Sequence, residues 1–581
     1  MRRGSSSTFT ENRGPESVEE LLAWDSQYAA IGKSTGLGAR ALQLLENAGA
    51  GTIWTSDYSG TSFDREAWRV LLLTLAGHLE MPAPKLQFLR SCDWGPLQQC
   101  VLSRISLGYD AGASCVFQDF NDRLHPDAKA WLESIAPTKK TTLPVAKAAN
   151  VELKRFLETC NTWVFNQKAT SECVVHKQKC PAYPLAAYTK LWALRDARGS
   201  CEQPPIKKIK GGTQPQAWWE RLALESNTED EPDKPLPLSI SFAGLTCTDY
   251  SALGKQARQA GIEERHAAVH LQERRFVAKE NLEDMFMTEC SERYPAEQKQ
   301  VAALHDSHTV IVIRTGPLQQ GFPVRRGRLF TAGLSKAKLV WVGPDSLEDC
   351  QASFNALFQR TTELTGDVFF HAAEQDISDF AMQRSQRRRR ILPAGFRLQP
   401  MDEYLHLLVP KGCLLRKADY DGLREERSSL DGAFFADLDQ NPDQGCQPGF
   451  TIPSLNTHPD MYSYNARRLA VIPEYFGMQG VDCSPTFCSA KRGPSPMMAF
   501  YHGLDEGDIK TLVGNGIFVP VLAAFYLFIL GNTIKREVPH LRHLRTLQVL
   551  VGVADQEGEQ DELWDKLLDK LVQHGWRHSP Q

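Results

Sequence analysis

The stretch that decides the fold runs from Ser239 to Phe286: SISFAGLTCTDYSALGKQARQAGIEERHAAVHLQERRFVAKENLEDMF. Ser239 to Gly244 is a short apolar strand that ends in small residues, and Cys247 follows on a turn, in the run Thr246-Cys247-Thr248-Asp249-Tyr250-Ser251. A helix comes next. A second strand is predicted over Phe276-Val277-Ala278-Lys279, ending at Glu280-Asn281, with a further helix from Asn281 to about Cys290. Two adjacent parallel strands would bring Cys247 and Glu280 to one carboxyl edge, where open α/β sheets bind ligands. A thiol and a carboxylate at such an edge can serve as a nucleophile and its proton partner. A single cysteine after a strand is more often a small buried filler, so the remaining chain has to decide.

Three strand-turn-helix units precede this stretch. Thr52 to Tyr58 reads as a strand, Ser59-Gly60-Thr61-Ser62 as a turn and Asp64 to Leu79 as an amphipathic helix. Lys85 to Cys92 is a strand with Asp93-Trp94 at its end and a helix from Pro96. Ser114 to Phe117 is a third strand, closed by Asp119 and Phe120. Alternation of this kind predicts a parallel sheet. The chain has 581 residues, 42% hydrophobic and 23% charged, as in a soluble globular protein of several domains. Its formal net charge of −4 gives no global attraction to nucleic acid, so any basic surface must be local. Fourteen scattered cysteines without a short framework read as reduced intracellular thiols. The N-terminus lacks the apolar core of a secretory signal. The longest apolar run, Ile517 to Leu530, is short for a membrane span and carries Pro520, so a buried helix is expected there.

The Cys and Glu turns resemble motifs IV and VI of the cytosine-5 DNA methyltransferases, standing here as Gly244 to Ser251 and Glu280-Asn281-Leu282. The other motifs follow in family order. Tyr58, Ser59 and Gly60 resemble motif I, with Ser62 and Phe63 replacing its other two glycines. Asp93 and Trp94 resemble the acidic and bulky pair of motif II, and Asp119 with Phe120 the strand end of motif III. Gly321 to Phe330 resembles motif VIII, with paired Arg326 and Arg328 and with Val324 in place of a glutamine. Arg467 to Gly480 resembles motif IX, and Leu512 to Pro520, with Asn515 and Gly516, motif X. The resemblance implies an α/β, Rossmann-like S-adenosylmethionine-dependent methyltransferase fold with a mostly irregular or β target-recognition domain.

It also implies a function. Cys247 would add to carbon 6 of a cytosine flipped out of duplex DNA, Glu280 would hold the ring nitrogen and amine, and Arg328, paired with Arg326, would hold the carbonyl oxygen. Tyr58, Ser59, Gly60, Asp93, Trp94, Asp119, Phe120, Asn515 and Gly516 would bind the cofactor, S-adenosyl-L-methionine. Arg384, Arg387, Arg388, Arg389 and Arg390 form the densest basic run and would hold phosphates. Transfer to tRNA is the alternative within the enzyme class. A nucleic-acid-binding protein with a degraded cofactor site is the alternative from outside it. The protein is expected inside the cell, in the nucleus of a eukaryote, and not in a membrane.

The chain then divides into a tail with helices (1–45), the cofactor-binding half (46–124), an insertion (125–236), the catalytic half (237–338), the target-recognition region (339–500), a helix returning to the catalytic domain (501–535) and a helical tail (536–581). The insertion is expected to be a separate excursion with linker-like edges. Its Cys160, Cys173, His176 and Cys180 have a spacing conceivable for zinc, but they match no metal signature, and catalysis needs no metal.

Overall fold

A computed structural model describes residues 13–536 apart from 59, 109–113, 135–147, 150, 153–164, 167, 185–235, 246–263, 394–395, 397–399, 427–432, 445–447 and 484–493. The centre is a seven-stranded sheet of β1 (Thr52–Asp57), β2 (Leu86–Cys92), β3 (Cys115–Phe117), β4 (Leu238–Gly244), β5 (Met285–Ser291), β6 (His308–Thr315) and β7 (Arg328–Ser335). The strands lie in the order β3-β2-β1-β4-β5-β7-β6. The first five are mutually parallel, and β7 runs antiparallel between β5 and β6. This is the Rossmann-like methyltransferase arrangement expected from the sequence. Strand order reverses between β1 and β4, which opens a ligand crevice at their carboxyl ends.

One expected element pair is reversed. Phe276 to Lys279 is not a strand but the end of a helix, Glu264–Lys279, and the segment read as a helix contains β5. Phe276 and Val277 are the buried side of the last helical turn. Met285-Phe286-Met287-Thr288 shows no alternation because a central strand is buried on both faces. Short apolar runs of this kind do not reveal their period. The consequence for Glu280 is direct. It lies in the turn before β5, at the amino edge of the sheet, opposite the crevice.

The side chains of β1 alternate between two differently built faces. Trp54 points into an aromatic and aliphatic layer formed with α1 (Trp24–Thr35), α2 (Leu37–Glu46), α3 (Phe63–Leu79) and a later helix, Val519–Gly531. Trp68 stacks on Tyr526 with centroids 4.4 Å apart, and Trp54 meets both rings edge-on at 4.7 and 5.6 Å. Burying each such side chain contributes about 1.5–3 kcal/mol. The helix Val519–Gly531 is buried along its whole length. It is part of a stretch, Glu506–Gly531, apolar and long enough by composition to cross a membrane, yet 89% of the window is packed inside the protein.

Asp57 and Ile53 point to the other face, which the helix Glu264–Lys279 and part of the insertion cover. That part is no detached excursion. Phe165 stacks on Phe276 at 5.6 Å, Arg90 donates to the Ala182 carbonyl, and Tyr183 Oη donates to Glu273 at 3.1 Å. A hairpin, Thr170–Glu172 and Lys179–Pro181, stands beside the edge strand, with the Val174 amide donating to the Val116 carbonyl at 2.8 Å.

The region after β7 holds a small antiparallel sheet (Phe435–Asp437, Met461–Ser463, Arg468–Leu469). It also holds three long helices that irregular patterning did not announce: Leu347–Phe358, Glu374–Arg387 and Lys411–Glu426. The last two helices and the small sheet share a third apolar cluster around Phe380, Leu405, Tyr420 and Tyr462, while Cys350, Phe354 and Phe358 of the first join the main core.

Candidate active site

The crevice begins at the loop after β1. Tyr58, Gly60 and Ser62 all take left-handed backbone, with φ of 52°, 50° and 59°. Ser62 thus keeps a glycine-like conformation, at a cost of about 1–2 kcal/mol. The space over Gly60 is open, since a Cβ there would meet nothing within 4 Å. Asp93, at the end of β2, accepts the Gly60 amide at 2.9 Å and the Gly95 amide at 3.1 Å. Burial raises its pKa, and those backbone bonds oppose the rise. Trp94 beside it is 77% exposed, with its ring free to cover a ligand. Tyr58 stacks on Phe120 with centroids 5.4 Å apart. Asp119 caps the Asn121 amide at 2.9 Å and pairs with Lys129 at 3.1 Å. Ser59 lies outside the described residues.

Across the switch point, Gly244 ends β4 so close to the β1 loop that a Cβ would stand 3.2 Å from the Tyr58 carbonyl oxygen and 4.0 Å from Ile517 Cδ1. The turn after the helix Glu506–Gly514 therefore borders the crevice. Its Asn515 is exposed. Gly516 serves packing: a Cβ there would lie 2.4 Å from the Phe63 ring.

The acid at the carboxyl edge is Glu289, not Glu280. Glu289 pairs with Gly244 in the β4–β5 register, and its carbonyl accepts the Leu245 amide at 2.9 Å. Its carboxylate meets Arg328 Nε at 2.7 Å, with the two side chains 9% and 18% exposed. The pair forms because Arg328 begins β7 directly alongside the end of β5. Cys247 lies outside the described residues, on the chain that leaves Leu245 beside Glu289.

Arg326 and Arg328 do not converge on one target. The buried Arg326 donates to the Leu455 carbonyl at 3.0 Å and the Gly516 carbonyl at 2.6 Å, tying the region after β7 and the turn before the helix Val519–Gly531 to the sheet. Gly327 between them carries Glu292 above it, where a Cβ would stand 2.4 Å from a carboxylate oxygen.

The basic run is also divided. Arg384 pairs with Asp460 at 2.6 Å and Glu506 at 3.1 Å and donates to the Leu408 carbonyl, so it is a partly buried structural cation and not a phosphate contact. Those carboxylates raise its pKa against the opposing effect of burial, which comes first in size. Arg387, Arg389 and Arg390 are exposed, and Arg388 is half-buried.

Cys173, His176 and Cys180 come together, with Cys115 of β3 as the fourth member of the cluster. Cys160 lies outside the described residues. Sequence spacing could not find Cys115, because it comes from the sheet and not from the insertion.

No family model matches the chain, and no curated protein does. Among solved structures, a putative DNA modification methyltransferase encoded in an E. coli prophage is similar over 83% of this chain and 99% of its own, with 11% identity and a TM-score of 0.35. The Entamoeba histolytica methyltransferase EhMeth is similar over 82% and 98%, with 9% identity and a TM-score of 0.32. The S. pombe Dnmt2 methyltransferase is similar over 82% and 96%, with 10% identity and a TM-score of 0.30. The fold assignment rests on strand order and direction, described above.

Proposed function

We propose that the chain methylates carbon 5 of cytosine in nucleic acid, with duplex DNA as the first substrate and S-adenosylmethionine as methyl donor. One observation carries this reading: a carboxylate and a guanidinium paired at 2.7 Å on the carboxyl edge, beside the departure of the Cys247 segment. Cys247 is three residues past Gly244, so its Cα can lie no more than about 11 Å from that of Gly244.

The residues of the crevice fit the donor. Asp93 offers two carboxylate oxygens to a ribose diol, Trp94 an exposed ring to a base, and Gly60 an open approach. When bound, the donor supplies an electrophilic methyl group. The protein's part is to make carbon 5 nucleophilic. Cys247 Sγ bonds to carbon 6, and the π electrons of the 5,6 double bond become available at carbon 5. Glu289 holds the ring nitrogen and the exocyclic amine, and Arg328 fixes that carboxylate and faces the ring carbonyl. After methylation, a solvent water takes the carbon 5 proton, the C–H electron pair re-forms the 5,6 double bond, and the bond from sulfur to carbon 6 breaks with its electrons returning to the Cys247 thiolate. Exposed Arg387, Arg389 and Arg390 would contact phosphates.

DNA containing 5-fluorocytosine lacks the departing proton and should trap the wild-type chain as a denaturation-resistant adduct that needs the donor. Cys247→Ala should give no adduct. Glu289→Gln should slow methyl transfer about 10²–10⁴-fold, while Glu280→Gln should leave it unchanged. An adduct in Cys247→Ala, or full activity in Glu289→Gln, sinks the assignment. Running tRNA alongside tells which nucleic acid is used. No binding of S-adenosylhomocysteine by calorimetry would favour the degraded binding protein.

A further inference from the structure

The four groups of the buried cluster come from two places. Cys115 is the first residue of β3, the edge strand, and Cys173, His176 and Cys180 belong to the inserted hairpin. Their ligand atoms all lie within 4.8 Å of one another. His176 Nδ1 stands 3.2 Å from Cys173 Sγ, 3.5 Å from Cys115 Sγ and 3.6 Å from Cys180 Sγ. Sulfur and nitrogen on a tetrahedral zinc, at about 2.3 and 2.1 Å from it, are about 3.6 Å apart. The His176 amide donates to Cys173 Sγ at 3.5 Å, which holds that sulfur in the turn. His176 Nε2 is buried without a hydrogen-bond partner among the described residues, so nothing else there orients the ring.

We propose that Cys115, Cys173, His176 and Cys180 bind one structural zinc ion that clamps the insertion to the edge of the catalytic sheet. The ligand set selects the metal: three soft sulfurs and one imidazole, all within 4.8 Å of one another, suit zinc. The spacing is too tight for a multinuclear cluster. A disulfide between two of the cysteines would leave an imidazole nitrogen in contact with all three sulfurs unexplained. All four residues are 0–3% exposed, which is the closed form of a structural site, with no position left for a substrate. The clamp has mechanical meaning. Cys173 bridges to Phe117 in β3, and β3 leads directly to Asp119 and Phe120 on the crevice rim. Metal affinity would then become folding energy for the insertion.

The full-length protein, purified without added metal, should carry one zinc per chain by elemental mass spectrometry. Replacing it with Co²⁺ should give the visible bands of tetrahedral cobalt and a thiolate-to-cobalt charge-transfer band. Cys115→Ser and Cys180→Ser should fall to near zero zinc, whereas Cys160→Ser should keep it. If the variants fail to fold, wild type alone decides: a chelator should lower its Tm and added Zn²⁺ should restore it. A metal-free protein that shows no cobalt spectrum and the same Tm with and without Zn²⁺ overturns the proposal. Zinc kept in Cys115→Ser and lost in Cys160→Ser overturns the ligand assignment. None of these readouts involves methyl transfer.

Discussion

The two faces of the central sheet are sealed by different chemistry. Over Trp54 lie Trp68, Phe242 and Tyr526, a mainly apolar layer whose one polar link at Trp54 is its Nε1 donating to the buried Asp64 at 3.1 Å. Over Asp57 lie three carboxylates, Asp57, Glu273 and Glu283, and three guanidiniums, Arg90, Arg123 and Arg274, all buried. Arg123 is held by Asp57 and by Glu273 at 2.9 Å, and Arg274 by Glu283 at 2.6 Å. Each ion loses several kcal/mol of hydration and recovers it only with its partners in place. The apolar face is therefore tolerant, and the ionic face is all-or-none. The ionic face is also where the insertion docks, through Ala182 and Tyr183.

The sharpest way to break the contrast is Arg123→Met. It leaves Asp57 and Glu273 buried with one cation fewer, and urea unfolding should show a loss of about 3–5 kcal/mol. Phe525→Leu on the other face removes part of one ring from a deformable layer and should cost about 1–2 kcal/mol. Equal losses from the two substitutions would mean that the ionic face rearranges as freely as the apolar one.

The apolar face was legible in the sequence and the ionic face was not. The strands at Thr52, Leu86 and Leu238 and the helix at Phe63 announce themselves through apolar periodicity, which is a local signal. The charges of the ionic face sit in sequence as ordinary Arg, Asp and Glu, because only the fold brings Arg123 to Asp57 or Arg274 to Glu283. The same limit explains the site. The place of Asp93 was legible because it follows a recognisable strand. Glu289 was not, because the run Met285 to Thr288 hides its period in a central strand and Glu280-Asn281 offers a nearer likeness to the motif. Cys115 was hidden for the same reason as Arg123, its partners being far along the chain.

Acid should separate the faces next. His270 and His308 flank Phe286 on the ionic face, with ring centroids 6.5 and 5.3 Å from it. Burial first, and then Arg274, push their pKa values down from 6.5 to about 3 and about 4. An unfolded chain takes up these protons below about pH 6.5, and the folded chain resists until far lower. The stability they contribute is therefore complete above pH 6.5 and lost as the pH falls from there towards 4. Tm measured from pH 7.5 to 4.5 should decline in wild type, and the decline should be shallower in the double variant His270→Leu/His308→Leu. Parallel curves would place the acid sensitivity elsewhere.

The smallest effect belongs to the backbone at the start of α3, on the tolerant face. Ser62 holds a left-handed conformation with φ of 59° and makes no side-chain cap hydrogen bond to the helix it begins. A non-glycine residue there costs about 1–2 kcal/mol, and glycine costs about 0.4–1 kcal/mol through the unfolded chain. Ser62→Gly should therefore raise stability by about 0.5–1 kcal/mol, read as a small rise in Tm. Tyr58→Gly is the control, because it relieves the same kind of strain at φ of 52°. There the ring stacked on Phe120 is lost as well, and losing this partly buried aromatic side chain costs about 1.5–3 kcal/mol. The two variants should thus move Tm in opposite directions. If both lower it, the loop is held by side chains at Ser62 too, and its left-handed turns carry no strain worth relieving.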